Sequence, residues 1–167
     1  MDTAVQKKLI DPGSRVTLVS NRIVLVVPVT SHFTPESAKA VQDVRLKHLA
    51  LAGDQVPAGK AARHALSAAG VLEGLESRVV NADNVRVVLT WVAHGEAEAG
   101  VVYQTDAQSE KGVRVAFVFP ENSYPKIEYP VALLQDSLHR ARALEFLKYL
   151  QGAEVKKQFA LFGFTVP

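Results

Sequence analysis

Cysteine is absent from the 167 residues of this chain, and its absence excludes several kinds of chemistry at once. The chain has no disulfide framework, no thiolate metal site and no cysteine nucleophile. A strong excess of either charge is also missing, because the formal net charge is only +2. Aromatic residues make up 7% of the chain, and few of them lie among the scattered Lys and Arg residues. These features argue against a nucleic-acid-binding surface.

Long apolar runs are missing as well. The longest, Ile23–Val29, is far shorter than the ~20 residues that a transmembrane helix needs. The opening residues Met1–Gln6 have neither the basic start nor the apolar core of a secretory signal peptide. We therefore expect that, if the protein is exported, this sequence is a mature or shortened form of the gene product.

Catalytic motifs are not found either. The five histidines are dispersed, and no pair of them has a metal-binding spacing. No nucleophile elbow, phosphate-binding P-loop or dinucleotide-binding glycine motif occurs. We interpret Asp83 as support for a helix start and Asp106 as a local cap rather than as catalytic carboxylates. Tyr103 is, from spacing alone, best read as a core tyrosine. The sequence does not predict an enzyme.

What the chain does contain is an alternation of apolar strands and amphipathic helices, with 48% apolar residues to form a core. This alternation predicts an α/β domain with a largely parallel sheet. The run Ile23–Val27 is entirely apolar and mostly β-branched, as in a strand that is buried on both faces. A late amphipathic helix is predicted from Ser137 to Tyr149, with Leu138 and Leu147 among its apolar positions.

The stretch Gly53–Arg63 is the most informative part of the sequence. A short strand, 48–52, leads through a small-residue turn and Pro57 into an alanine-rich helix that stops at Gly70. A strand, a small-residue turn and a helix N-terminus together make an anion-binding site, although the same pattern also occurs in ordinary strand-to-helix connections. Ligands in such sheets bind beyond the carboxyl ends of the strands. Three features fit this position, namely the turn at 56–59, the helix start at 84–86 and the strand end at Tyr103.

Several motifs occur in a particular order: Asn21–Pro28, Val56–Gly59, Asn84–Arg86, Gly100–Tyr103 with Asp106–Ala107, Phe119–Ser123, Glu128–Ala132 and Phe162–Phe164. As a set, and over essentially the whole chain, they resemble the periplasmic molybdate-binding proteins of ABC transporters. The resemblance implies a type II periplasmic-binding-protein fold, which is α/β and two-lobed, with its anion-binding cleft between the lobes. The family begins with a further segment that carries two ligand-binding serines and has no counterpart here. The resemblance thus implies a complete second lobe, 28–118, and a partial first lobe formed by 1–27 and by the return segment and C-terminal helices, 119–167.

The resemblance also implies the ligand and the residues that bind it. The family binds molybdate through neutral donors, without direct bonds from protein atoms to molybdenum, and the ligand, molybdate or tungstate, is not a cofactor. By position, Ala58 and Val85 match two backbone N–H donors, and Tyr103 matches a tyrosine that donates its hydroxyl. Lys60 and Arg63 are expected to be solvated and to attract anions at long range rather than to bind them.

The same resemblance implies a partner and a location. The partner is the membrane permease of an ABC importer, and the location is the periplasm. An incomplete first lobe would expose a sheet edge, so a dimer is an open possibility. Two other hypotheses remain. One is the effector-sensing domain of a cytosolic regulator, although residues 1–25 show no helix-turn-helix. The other is a shortened chain that no longer binds the anion, because half-sites lose pre-organisation.

Overall fold

The computed structural model describes all 167 residues, and the chain divides into two compact units. The terminal unit comprises Met1–Asn21 and Ile127–Pro167, and the central unit comprises Arg22–Lys126. The lobe boundaries expected from the sequence lie after residues 27 and 118, whereas these units divide after residues 21 and 126. That the two units correspond to the lobes of a two-lobed protein stays a prediction.

The elements follow in chain order. The helices are α1 (Asp2–Gln6), α2 (Pro57–Ala68), α3 (Val85–Ala93), α4 (Gln104–Ser109), α5 (Arg140–Leu150) and α6 (Ala153–Leu161). The strands are β1 (Val16–Asn21), β2 (Ile23–Pro28), β3 (Leu49–Ala52), β4 (Val79–Ala82), β5 (Ala99–Tyr103), β6 (Val113–Val118) and β7 (Ile127–Val131). Short 3-10 helices lie at Pro12–Ser14, Ala38–Gln42, Glu73–Leu75 and Glu121–Ser123. No helix is long and apolar enough to cross a membrane.

The central unit is built on one five-stranded sheet with the order β4-β3-β5-β2-β6. Strand β3 pairs in parallel with β4 and β5, whereas β2 pairs antiparallel with both β5 and β6. The expectation of a largely parallel sheet is therefore right for the pairings among β3, β4 and β5 and wrong for β2, whose pairings with β5 and β6 are both antiparallel. Residues Ile23–Val27 are all fully buried, as predicted. Burial on both faces fixes the apolar composition of a central strand whatever its direction, so composition does not reveal the direction.

Alternate residues of a strand face opposite sides of the sheet, so apolar residues at successive positions must be covered on both faces. Helices provide this cover. Val24, Ala50 and Val102 form one apolar cluster with Val88 and Leu89 of α3. The intervening positions Leu25, Leu51 and Val101 are also fully buried, and α2 packs against β2, β3 and β5. We infer that α2 and α3 lie on opposite faces of the sheet.

The terminal unit contains the antiparallel ribbon of β1 and β7, together with α1, α5 and α6. Helix α5 begins at Arg140 rather than at Ser137, which leaves Leu138 outside the helix and 95% exposed. Leu147 is the one residue of α5 that is buried, and α6 has none. Of the apolar pattern that predicted an amphipathic α5, Leu144 and Leu150 are half-buried, whereas Phe146 is exposed. The exposed large apolar side chains of this unit include Phe146, Tyr149, Leu161 and Phe162.

Candidate functional site

The carboxyl ends of three parallel strands meet at one edge of the central sheet. Ala52 of β3 pairs with Ala82 of β4, and Ala50 pairs with Gly100 of β5. The N–H of Gly53 donates to the carbonyl of Ala82 at 2.9 Å, which links the two strand ends just beyond the sheet. Each strand leads into a helix, so the N-termini of α2, α3 and α4 all lie at this edge. Helix N-termini carry about half a positive charge and N–H groups without intrahelical acceptors, so the edge suits an anion.

The N-terminus of α2 presents two N–H groups that have no partner within the chain. Val56 precedes the helix and has no side-chain acceptor, and Pro57 at the first helical position has no N–H. The N–H of Lys60 already donates to the carbonyl of Val56 at 3.0 Å. The remaining donors are those of Ala58, which is only 2% exposed, and Gly59. Buried backbone N–H groups in proteins are nearly always hydrogen-bonded, so this pair is suited to receive a ligand acceptor.

Gly59 is required by the close approach of α2 to the strand end. A Cβ atom at Gly59 would lie 2.2 Å from the carbonyl oxygen of Ala52 and 2.4 Å from that of Gly53. Both are backbone atoms, which cannot rotate away as a flexible side chain could. The small residues after Val56 therefore bring the first turn of α2 directly against the end of β3.

Arg63 holds this region together, and the expectation that it is solvated is wrong. Its Nη1 donates to the carbonyls of Ala52 at 2.8 Å and Gly59 at 3.2 Å. Its Nη2 donates to Oδ1 of Asn81 in β4, and its Nε lies 2.9 Å from Oδ1 of Asp54. The side chain is only 21% exposed. Lys60, by contrast, is exposed and forms no ion pair, as expected.

The N-terminus of α3 is capped so that one donor remains unengaged. Oδ1 of Asn84 accepts from the N–H groups of Arg86 at 2.9 Å and Val87 at 3.2 Å. The N–H of Val88 turns back to the carbonyl of Asn84. The N–H of Val85 is therefore the one donor of this first turn without a partner in the chain. The cap comes from Asn84, at the helix start predicted for 84–86, whereas Asp83, interpreted as support for that start, is exposed and is not the cap.

Tyr103 is the last residue of β5, the predicted strand end, and lies immediately before α4. It is half-buried and pairs with Ile23 of β2. Its position between a strand end and a helix start brings it to the same edge as the two N-termini described above. The sequence predicted where it lies, while its role as a ligand stays a prediction.

Asp106 faces α3 instead of capping α4 locally. Its carboxylate lies 3.8 Å from Nε of Arg86, and its side chain is 13% exposed. Burial raises the pKa of Asp106, and the nearby guanidinium partly opposes that shift. Arg86 also donates to Oγ of Ser109 at 3.1 Å. These contacts brace α3 against α4, and the sequence analysis missed them because nothing in the spacing pairs residues 86 and 106.

The arrangement can bind an anion through neutral donors, but it offers no cage for a bare metal ion. No group of three or more His, Asp or Glu side chains is placed to hold a metal. Ala58, Val85 and Tyr103 share the carboxyl edge of β3, β4 and β5 by virtue of the topology. The fold alone does not test whether these residues bind molybdate, so their identification as ligands stays a prediction.

Comparison with known proteins decides the family. Residues 1–165 match the family model described as bacterial extracellular solute-binding protein. The chain belongs to this family. The resemblance found in the sequence is thereby confirmed, and the family is one of binding proteins rather than enzymes.

Three relatives are informative. The molybdate-binding protein ModA of Escherichia coli (strain K12) is 38% identical over 171 residues, covering 99% of the chain and 66% of the relative. The substrate-binding domain assigned to a molybdenum ABC transporter of Clostridium difficile has a TM-score of 0.94 at 28% identity, covering 100% of the chain and 72% of the other. The periplasmic molybdate-binding protein of Azotobacter vinelandii has a TM-score of 0.78 at 20% identity over 99% and 74%, which shows the shared fold. The chain spans 63–66% of the length of the curated relatives that it matches.

Proposed function

We propose that this chain is the solute-binding component, or part of it, of an ABC importer for molybdate or tungstate. The observation that carries the proposal is the pair of helix N-termini at one sheet edge, with the N–H groups of Ala58 and Val85 left unpartnered by the chain. The names of the E. coli and C. difficile relatives support molybdate as the oxyanion. The ligand set proposed here is the backbone of Ala58 and Val85 with the hydroxyl of Tyr103.

The proposed donors suit a fully deprotonated dianion. Backbone N–H groups and a hydroxyl supply hydrogen bonds without a counter-charge, and the helix dipoles add favourable electrostatics. Phosphate carries a proton near neutral pH and needs an acceptor for it. Of the three carboxylates in this region, Asp106 is turned toward Arg86, Asp54 is paired with Arg63, and Asp83 is exposed. We therefore expect phosphate to bind more weakly than molybdate.

The proposal extends to partners and location. An importer's binding protein delivers its ligand to a membrane permease, and the family description, bacterial extracellular solute-binding protein, supports a location outside the cytoplasm. The periplasm is the compartment named for the A. vinelandii structure. The exposed apolar side chains of the terminal unit support self-association of this chain as a further part of the proposal.

Thermal unfolding of the purified chain with molybdate, tungstate, sulfate and phosphate in separate samples tests the proposal. A ligand at ~100 times its dissociation constant stabilises the native state by about 2.7 kcal/mol, which is readily seen as a rise in Tm. We expect such a rise with molybdate and tungstate and a smaller one, or none, with sulfate and phosphate. If no oxyanion raised the Tm, the chain would not bind the ligand and the hypothesis of a shortened, non-binding chain would stand.

A further inference from the structure

One guanidinium joins the parts of the central unit that meet at the candidate site. Arg63 lies in the second turn of α2 and contacts the end of β3 through the carbonyl of Ala52. It reaches β4 through Asn81 and the intervening turn through Asp54. It also donates to the carbonyl of Gly59, in the first turn of its own helix. A single side chain thus fixes the distance between the strand ends and the turn that carries the N–H groups of Ala58 and Gly59.

The guanidinium of Arg63 already has an ion-pair partner and hydrogen-bond acceptors within the chain. Its Nε faces the Asp54 carboxylate at 2.9 Å, and its Nη atoms donate to two carbonyls and one amide oxygen. A guanidinium that is engaged in this way has few donors left for a ligand. Its contribution to an anion site is therefore made through the backbone that it holds.

We propose that Arg63 is a positioning residue for the oxyanion site, an inference that rests on the proposed function. It keeps the first turn of α2 pressed against the end of β3, so that the N–H groups of Ala58 and Gly59 converge on the ligand. It also pairs with Asp54, whose negative charge would otherwise be unbalanced beside a dianion. Arg63 controls affinity by fixing geometry and by neutralising Asp54, without touching the ligand.

A lysine cannot take over this task. The planar guanidinium presents five N–H donors in a fixed fork, whereas an ammonium is a compact point charge with three rotatable donors. Four acceptors, one each on β3, β4, the turn and the first turn of α2, surround the guanidinium here, and an ammonium at this position would leave some of them unpaired. Lys60, one turn earlier on the same helix, provides a matched control, because it has the same charge but no ion pair.

The test compares Arg63→Met, Arg63→Lys and Lys60→Met with the wild-type chain. Molybdate affinity is measured by calorimetric titration at low and high salt, and the global stability of each variant is measured by urea unfolding. Hydrogen exchange of residues 52–59 is followed against that of α3 as an internal reference. We expect Arg63→Met to lose about tenfold or more in affinity at both salt concentrations, roughly the effect of losing one charge-assisted hydrogen bond. Arg63→Lys should recover little of this loss, and Lys60→Met should bind as wild type at high salt.

Exchange in residues 52–59 should be faster in both Arg63 variants, while α3 remains protected.

Equal losses of molybdate affinity in Arg63→Met and Lys60→Met that disappear at high salt would overturn the proposal, since they would indicate long-range steering. Wild-type affinity in a folded Arg63→Met would overturn it as well. If the wild-type chain bound no oxyanion, the proposed function would fail, and unchanged exchange in residues 52–59 of Arg63→Met would separately refute the positioning role. If an Arg63→Met variant did not fold, Arg63→Lys and its exchange pattern would decide the question.

Discussion

Single backbone N–H groups are the smallest features on which the proposed site depends. Ala58 and Val85 contribute no side-chain chemistry, so a substitution tests their role only if it removes the main-chain donor. Val85 is the better position for this, because it is the first residue of α3 and its predecessor Asn84 has an extended backbone with φ −159° and ψ 171°. Proline is compatible with the first helical position and with an extended residue before it.

Val85→Pro should therefore weaken molybdate binding while the fold remains intact. The substitution removes the one N–H of this turn that Asn84 does not engage, and we expect about a tenfold loss of affinity. Val85→Ala is the control, because it removes a similar apolar contact but keeps the donor. Calorimetric titration of both variants checks the prediction, and equal affinities would show that the Val85 N–H is not a ligand.

The side chain of Asn84 caps α3 and leaves one N–H donor without a partner in the first turn of that helix. Replacing Asn84 with Ala should lower the free energy of unfolding by about 1 kcal/mol, the usual effect of losing an N-cap side chain. Asp83→Ala is the matched control, since Asp83 is exposed and does not cap the helix. Urea unfolding of the two variants measures the difference, and an equal loss in both would contradict the assignment of the cap to Asn84.

Asp43 provides a pH-dependent contribution to stability. Hydrogen bonds from the side chain and backbone of Arg45 lower the pKa of Asp43 from 3.8 to about 2. Because the folded pKa is the lower one, this contribution is present above pH 3.8 and is lost as the pH falls from 3.8 to 2. Asp43→Asn should therefore have a lower Tm than wild type at pH 6, and the difference should vanish near pH 2. Tm values across this range test the claim, and a difference that stayed constant with pH would refute it.

At the scale of elements, the contact between α2 and the end of β3 allows no extra atom at Gly59. Gly59→Ala should destabilise the chain by about 1–3 kcal/mol, as overpacking generally does, and should also displace the Ala58 N–H. Gly53→Ala is the control on the same turn, because a Cβ there would meet nothing closer than the carbonyl oxygen of Ala82 at 3.7 Å. Thermal and urea unfolding of the pair measure the effect. Equal stability of the two variants would contradict the close approach of α2 to β3.

Elements whose signals are local could be predicted from the sequence. Strand β3 and helix α2 lie where the sequence predicted a strand at 48–52 and an alanine-rich helix that stops at Gly70, because glycine, proline and apolar period all act within a few residues. The antiparallel direction of β2 could not be predicted, since burial on both faces gives the same composition in either direction. The first turn of α5 was placed too early because Leu138 continues the apolar pattern, although it is exposed.

The locations of the candidate site residues could be predicted from the sequence, but the contacts that hold the site together could not. The positions of Ala58, Val85 and Tyr103 at strand ends and helix starts follow from turn chemistry and from the rule that sites lie at carboxyl edges. The network of Arg63 could not be predicted, because Asn81 and Asp54 approach it only once the sheet has formed. Only the spacing of four residues between Gly59 and Arg63, one helical turn, could have suggested that Arg63 lies near the first turn of α2.

At the scale of the whole molecule, the two compact units differ in how well their apolar residues are covered. In the central unit, strands β2, β3 and β5 are almost entirely buried, whereas the terminal unit leaves Phe146, Tyr149, Leu161 and Phe162 largely exposed. The chain spans 63–66% of the length of its curated relatives. All of the proposed anion donors lie in the central unit, so the binding part of the proposal depends on that unit.

The most direct test of the central claim is an amide NMR titration of the ¹⁵N-labelled chain with molybdate. The account predicts saturable shifts of the Ala58 and Val85 N–H resonances, with a smaller response to phosphate at the same concentrations. The N–H of Arg86, which Asn84 already engages, should move far less and serves as the internal reference. Saturable shifts that left Ala58 and Val85 unchanged, or no shift anywhere, would contradict the proposal that these two donors bind the oxyanion.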